Sequence, residues 1–152
     1  MTDRTSLRFI GEMVGLVAVV VSLGVVGFEI RQNTTAVKSA TTQAISDQAM
    51  ALTLAMATDE HLPSLVQKMS SGTPPSEFSA EDRQRLQLVV VAGLRRQENL
   101  YAQVQAGVLD ETALRNVSFG FYRNPLVNEY WTRLREFFDP DFARYWDEVM
   151  SN

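Results

Sequence analysis

The sequence predicts an all-α protein: one N-terminal transmembrane helix that continues into a helical stalk, followed by a small soluble helical bundle. Three observations predict it. From Phe9 to Phe28 the chain runs twenty residues with a single charge, Glu12. Beyond that run, apolar residues recur at spacings of three, four and seven, the period of a helix face. No stretch alternates with period two between turn signals, so no strand is expected.

The elements follow in order. Residues 1–8 form an N-terminal flank and residues 9–28 the transmembrane helix, because about 1.5 Å of rise per residue carries twenty residues across roughly 30 Å of hydrocarbon. A signal peptide would end in a small-x-small cleavage site, and Glu29, Ile30, Arg31, Gln32 and Asn33 form none, so the run is expected to be retained. A buried core helix would need a shell of other elements, whereas the rest of the chain is polar enough to stand as its own domain. Residues 29–58 read as the stalk, since Ile30, Val37, Ala44, Ile45, Leu52, Ala55 and Met56 keep helical spacing with no Gly or Pro before Pro63. That seam is rich in Ala and Thr, so a stable stalk needs partners along it.

Residues 59–152 read as the soluble helical domain. A short helix spans about 63–69, and Ser70 to Ser76 is the most linker-like stretch in the chain. Ser79 caps a long helix with Glu81 and Asp82 in its first turn, where negative charge suits the helix dipole. Leu86, Val90, Gly93, Leu94, Leu100, Tyr101 and Val104 form its apolar face and Gly107 is its stop. Asp110 caps a short helix through Ala113, Leu114 and Val117. Asn124 before Pro125, and Asp139 before Pro140, repeat one device, an N-cap followed by proline at the first helical position. The helices they open carry Trp131, Leu134, Phe137 and Phe138, then Phe142, Tyr145, Trp146 and Val149.

Charge and composition exclude several functions. The first 38 residues sum to +1 and the other 114 to −5. An acidic domain without a basic stripe argues against nucleic acid as a partner, because such binding rests on neutralising phosphates. With no cysteine, disulfides, thiolate catalysis and cysteine metal sites are ruled out. Arg4 and Arg8 before the span balance Arg31 and Lys38 after it, so the positive-inside rule does not choose an orientation. His61 is the only histidine, and alone it supports neither a zinc site nor a triad, so it reads as a surface residue. There is no Gly-rich phosphate loop, HExxH or nucleophile elbow. No catalytic residue, cofactor or metal is expected, and the chain does not read as an enzyme.

Three features are candidates for function. Gly11 and Gly15 form a GxxxG pair that Ala18 and Ser22 extend as small-xxx-small, a surface on which another helix backbone can approach closely, although such pairs also arise by chance. Glu12 is a carboxylate about one turn inside the apolar boundary; it either reaches for headgroups beside Arg8 or makes a contact within an assembly, such as a ring of carboxylates around an axis. Arg95, Arg96, Gln97 and Glu98 interrupt the apolar face of the long soluble helix. They form either a polar network that fixes helix register or a contact with a ligand or partner. The aromatic set from Phe119 to Trp146 is read as ordinary core.

Ile10, Gly11, Glu12, Gly15, Ala18, Val19, Val20, Ser22 and Leu23, with the exit Ile30, Arg31, Gln32, Asn33 and Thr34, resemble the start of a widespread bacterial family of small single-pass membrane proteins. Its members open on IGExxGxxAVVxSL followed by IRQNT. The downstream Glu98, Asn99 and Tyr101, Gly107, Leu109, Asp110 and Glu111, and Pro140, Asp141, Phe142 and Tyr145 are similar as well. The resemblance implies a bacterial inner membrane and carries no established activity. It leans toward a cytoplasmic soluble domain, although Thr35 and Val37 stand where basic residues are frequent in the family.

Two functions are therefore expected. The first is a non-enzymatic interaction, scaffold or accessory subunit of a membrane assembly, with the bilayer and other transmembrane helices, its own or those of a larger complex, as partners. The second is a small homo-oligomeric channel or transport element with Glu12 near its mouth.

Overall fold

The computed structural model describes residues 3–115 and 119–151, and all regular structure among them is helical. Six α-helices follow one another: α1 Asp3–Thr58, α2 Leu62–Ser70, α3 Ala80–Gln105, α4 Thr112–Arg115, α5 Pro125–Leu134 and α6 Pro140–Ser151. Val117, expected in the helix after Asp110, lies outside the described residues, as do the side chains of Arg4, Arg8 and Ile10. The chain divides into two compact units, Met1–Ala40 and Thr41–Asn152.

The first unit is the beginning of α1. From Gly11 onward its apolar side chains are exposed on every face of the helix, with Val14 63%, Leu23 67% and Phe28 68% accessible. By length and composition this is a helix that can cross a membrane, and none of its apolar window is covered by protein. Three of its hydroxyls bond within the helix: Ser22 Oγ donates to the Ala18 carbonyl at 2.8 Å, and Thr34 and Thr35 donate to Ile30 and Arg31 at 2.8 and 3.0 Å.

The boundary between the units falls inside the 29–58 segment read as a stalk. From Thr41 onward α1 belongs with the bundle, and Thr41, Ile45, Ala49, Leu52 and Met56 are half-buried at spacings of four, four, three and four. These residues form a single stripe on α1. Ile45 packs against the buried cluster of Leu100, Val104 and Leu114. Ala44 and Ala55, on the flank of that stripe, remain exposed.

The stretch after α2 is tied down. Lys68 Nζ donates to the Glu77 carbonyl at 2.9 Å and sits 4.9 Å from the centre of the Phe78 ring, which is buried. Pro75–Glu77 forms a single 3-10 turn, and Gly72 reverses the chain at φ +81°. Proline and glycine here shape a folded connection and leave the second unit undivided.

The helix ends follow from their caps. Ser79 accepts from the Asp82 N–H at 3.1 Å, Asn124 from Val127 at 3.0 Å, and Asp139 from Asp141 and Phe142 at 2.9 and 3.1 Å. Asp110 accepts from the Thr112 N–H at 2.8 Å at the start of α4. At the C-terminus of α3, Gly107 at φ +70° lets the N–H groups of Gly107 and Val108 turn back to Val104 and Gln103, a Schellman closure that a residue with a Cβ would strain.

α3 organises the bundle. Leu86, Val90 and Leu94 are fully buried on it, beneath α5 and α6. Trp131, Phe138, Phe142 and Trp146 form an aromatic cluster with ring centroids 5.2 to 6.2 Å apart. The indole N–H of Trp131 donates to Asp147 at 2.7 Å and Arg135 donates to the other oxygen of that carboxylate at 2.7 Å. Phe137 departs from the aromatic set read as core and is 63% exposed, because its neighbour Phe138 takes the inward position.

Two outcomes follow from this core. Phe142→Ala empties a fully buried ring site and is expected to cost about 3–5 kcal/mol, read as a lowered midpoint in denaturant titration followed by the fluorescence of Trp131 and Trp146; an unmoved midpoint would show that the ring is not core. Burial pushes the Asp147 carboxyl up, but hydrogen bonds from Arg135 and Trp131 and the Arg135 charge outweigh it and hold the group below the usual carboxylate range. Its contribution to stability is therefore present above the ordinary value and is lost as pH falls through the folded value. Thermal midpoints measured from about pH 5 downward should fall more steeply in the parent protein than in Asp147→Asn.

Candidate functional site

The residues expected to pack in the membrane lie along α1 in the first unit. Gly11, Gly15, Ala18 and Ser22 are exposed, at spacings of four, three and four on one face. A Cβ added at Gly11 or Gly15 would meet nothing within 4 Å, so no contact inside the chain requires glycine there. Glu12 is also exposed and sits about 100° around the helix from Gly11, beside the small-residue stripe.

The four polar residues of α3 separate onto two faces. Arg95 and Glu98 point toward the start of α6: Arg95 Nη1 pairs with Glu98 at 2.6 Å, Arg95 Nη2 donates to the Phe137 carbonyl at 2.9 Å, and Glu98 accepts from the Asp139 N–H at 2.7 Å. The Arg95 guanidinium also lies 4.2 Å from the centre of the Phe138 ring. These contacts fix the junction between α5 and α6 against α3.

Arg96 and Gln97 face the other way, into a cavity of about 600 Å³ within the second unit. One wall comes from α1, where Ile45, Leu52 and Met56 supply apolar surface and Thr42, Ser46 and Thr53 hydroxyls. Val89, Gly93 and Leu100 of α3 form the opposite wall, and Leu109, Ala113, Phe121 and Tyr122 complete it. No carboxylate lines it.

Its polar end is built with little slack. Gln97 is 4% exposed and Tyr122 7%. Burial pushes the Tyr122 phenol above its ordinary value, against the opposing pull of the Gln97 hydrogen bond and the Arg96 charge, so the hydroxyl stays protonated at neutral pH. Gly93 makes room for it: a Cβ there would stand 2.6 Å from the Tyr122 oxygen. The Nε of Arg96 is buried and has no acceptor among the described residues.

The sequence marked Arg96 and Gln97 but missed Tyr122 and the α1 wall. The signal for Tyr122 was a glycine in the middle of a long helix, four residues before a glutamine on the same buried face. At that spacing a small residue beside a polar one marks a place that another group enters. Elsewhere, His61 is exposed, and its backbone N–H and that of Leu62 donate to Asp59 at 2.8 and 2.9 Å. Those two bonds lower the Asp59 carboxyl from its ordinary value. No group of three metal-ligating side chains occurs among the described residues.

Gly93→Ala tests this packing directly. In an open helix it would stabilise by about 1 kcal/mol, whereas here the methyl group must displace the phenol and is expected to destabilise by about 1–3 kcal/mol. Tyr122→Phe in the same chain removes the clashing oxygen and should restore most of the loss; thermal unfolding of the two variants and their combination reads the coupling. Equal effects with and without the hydroxyl would contradict the packing.

Neither a protein-family model, nor a curated protein, nor a solved structure matches the chain.

Proposed function

We propose that this chain is a single-pass protein of the bacterial inner membrane that works without catalysis, as an interaction, scaffold or accessory subunit of a membrane assembly. The observation that carries the reading is the exposure of the apolar side chains from Gly11 to Phe28, none of them covered by protein. Burying a single Val, Leu, Phe or Met is worth about 1.5–3 kcal/mol, so a dozen such side chains left in water would drive the helix into lipid or onto another apolar surface. The resemblance of the IGExxG and IRQNT segments to bacterial single-pass proteins supports the inner membrane, and leans to a cytoplasmic domain.

Within lipid, the stripe of Gly11, Gly15, Ala18 and Ser22 is the surface where a second helix can come closest. The Ser22 hydroxyl donates to the Ala18 carbonyl, so its proton is satisfied inside the helix and makes no demand on a partner at a close approach. Glu12, beside the stripe, then sits where a partner span or a headgroup can receive it.

Cross-linking mass spectrometry on native membranes tests the proposal. The protein is expected in the membrane fraction after an alkaline carbonate wash, with reproducible cross-links from its membrane-flanking residues to a second chain. Gly15→Leu, which widens the stripe, should reduce those links several-fold while leaving the chain in the membrane. A protein that is strictly monomeric in mild detergent and links reproducibly to nothing would contradict it.

A further inference from the structure

We propose that the cavity between α1 and α3 in the second unit binds a single-chain amphiphilic carboxylate, its head on Arg96 and its chain along Ile45, Leu52, Met56 and Leu100. The proposal does not depend on which assembly the anchor serves, because every residue it uses lies in Thr41–Asn152.

In the same unit Arg83, Arg85, Arg95, Arg133, Arg135 and Arg144 each pair with a carboxylate. Arg96 has no ion pair among the described residues, although the domain is acidic overall. Its Nε–H is buried without an acceptor, and such a donor is costly to leave unmade. The Nε is closed off by protein, so a carboxylate in the cavity would meet the guanidinium at its terminal Nη groups, as a two-pronged pair that also supplies the missing counter-charge.

Tyr122 enters beside Gln97 as a neutral hydroxyl, a further donor for the same head group. With no acidic lining residue, the cavity carries one net positive charge, which suits a monoanion and repels a cation. Away from Arg96 the wall is mainly aliphatic. A volume of about 600 Å³ lies in the range of about 300–1,000 Å³ typical of small-molecule sites and takes one hydrocarbon chain more readily than two. A neutral hydrocarbon would fill the wall yet leave the Arg96 charge without a counter-charge, and a small inorganic anion would meet Arg96 yet leave the wall bare.

Decanoate is a suitable probe, titrated into the full-length chain held in amphipol and followed by calorimetry, with decanol, decyltrimethylammonium and dihexanoyl phosphatidylglycerol as comparison ligands. Saturable one-to-one binding of decanoate is expected, with decanol and the cation at least about ten-fold weaker. Arg96→Gln should weaken decanoate by about ten-fold or more and leave decanol unchanged, while Arg96→Lys, which keeps the charge but loses the fork, should fall between. Decanol binding as tightly as decanoate, or equal decanoate affinity in Arg96→Gln, would overturn the proposal, since either means that no head group is recognised. So would a phosphatidylglycerol that binds more tightly and displaces decanoate, which would assign the cavity to a membrane lipid, or the absence of any saturable binding. The comparison ligands test the site in the parent protein even if a variant does not fold.

Discussion

A change in what covers one helix is the constraint on which the rest of the structure depends. From Gly11 to Phe28 the apolar side chains of α1 are uncovered by protein; from Thr41 a single stripe of the same helix is covered by the bundle. A hydrophobic helix must bury its surface against something, and these two segments do so differently. The first has only its surroundings, which is why the proposed reading gives it lipid. The second has α3, and Ile45 reaching Leu100, Val104 and Leu114 makes the end of α1 part of a folded domain.

α3 consequently has two apolar faces to satisfy. One is filled by the aromatic side chains of α5 and α6 and is tightly closed by Arg95 and Glu98 at the junction of those helices. The other meets α1 through a thin stripe of Ile, Ala, Leu and Met, too narrow to fill the space, and a cavity remains around Arg96, Gln97 and Tyr122. Good packing on one side and a polar-ended cavity on the other is the usual division between surface that stabilises and surface that binds. Both faces depend on the same helix, so cavity shape is linked to core stability through Gly93 and the phenol it admits.

Much of this was legible in the sequence, for physical reasons. Helix starts were readable because a side-chain oxygen before a proline or an acidic turn can do little else than cap: Ser79, Asn124 and Asp139 all accept the N–H groups expected of them. The all-α class followed from periodicity alone. The boundary at Ala40 was not legible, because an Ala- and Thr-rich stripe looks the same whether it faces solvent or a weakly packed neighbour. The stretch around Pro74 and Pro75 was legible as a connection, but turn residues reveal a change of direction and not that Lys68 and Phe78 hold it in place. Arg95, Arg96, Gln97 and Glu98 stood out as a group, but four consecutive residues spread around a helix, and only the tertiary contacts separate the pair that bonds the backbone near α6 from the pair that lines the cavity.

The most direct test of the account uses the absence of cysteine from the chain. Single cysteines placed in turn along α1 and spin-labelled in bilayer nanodiscs report access to oxygen, which concentrates in lipid, against access to a water-soluble nickel chelate. The account predicts high oxygen and low nickel access throughout 9–28, then from Thr41 onward nickel access that rises and falls with helical period as the half-buried stripe alternates with exposed positions. Nickel access that is high and uniform across 9–28 would contradict it, because the apolar beginning of α1 would then lie in water.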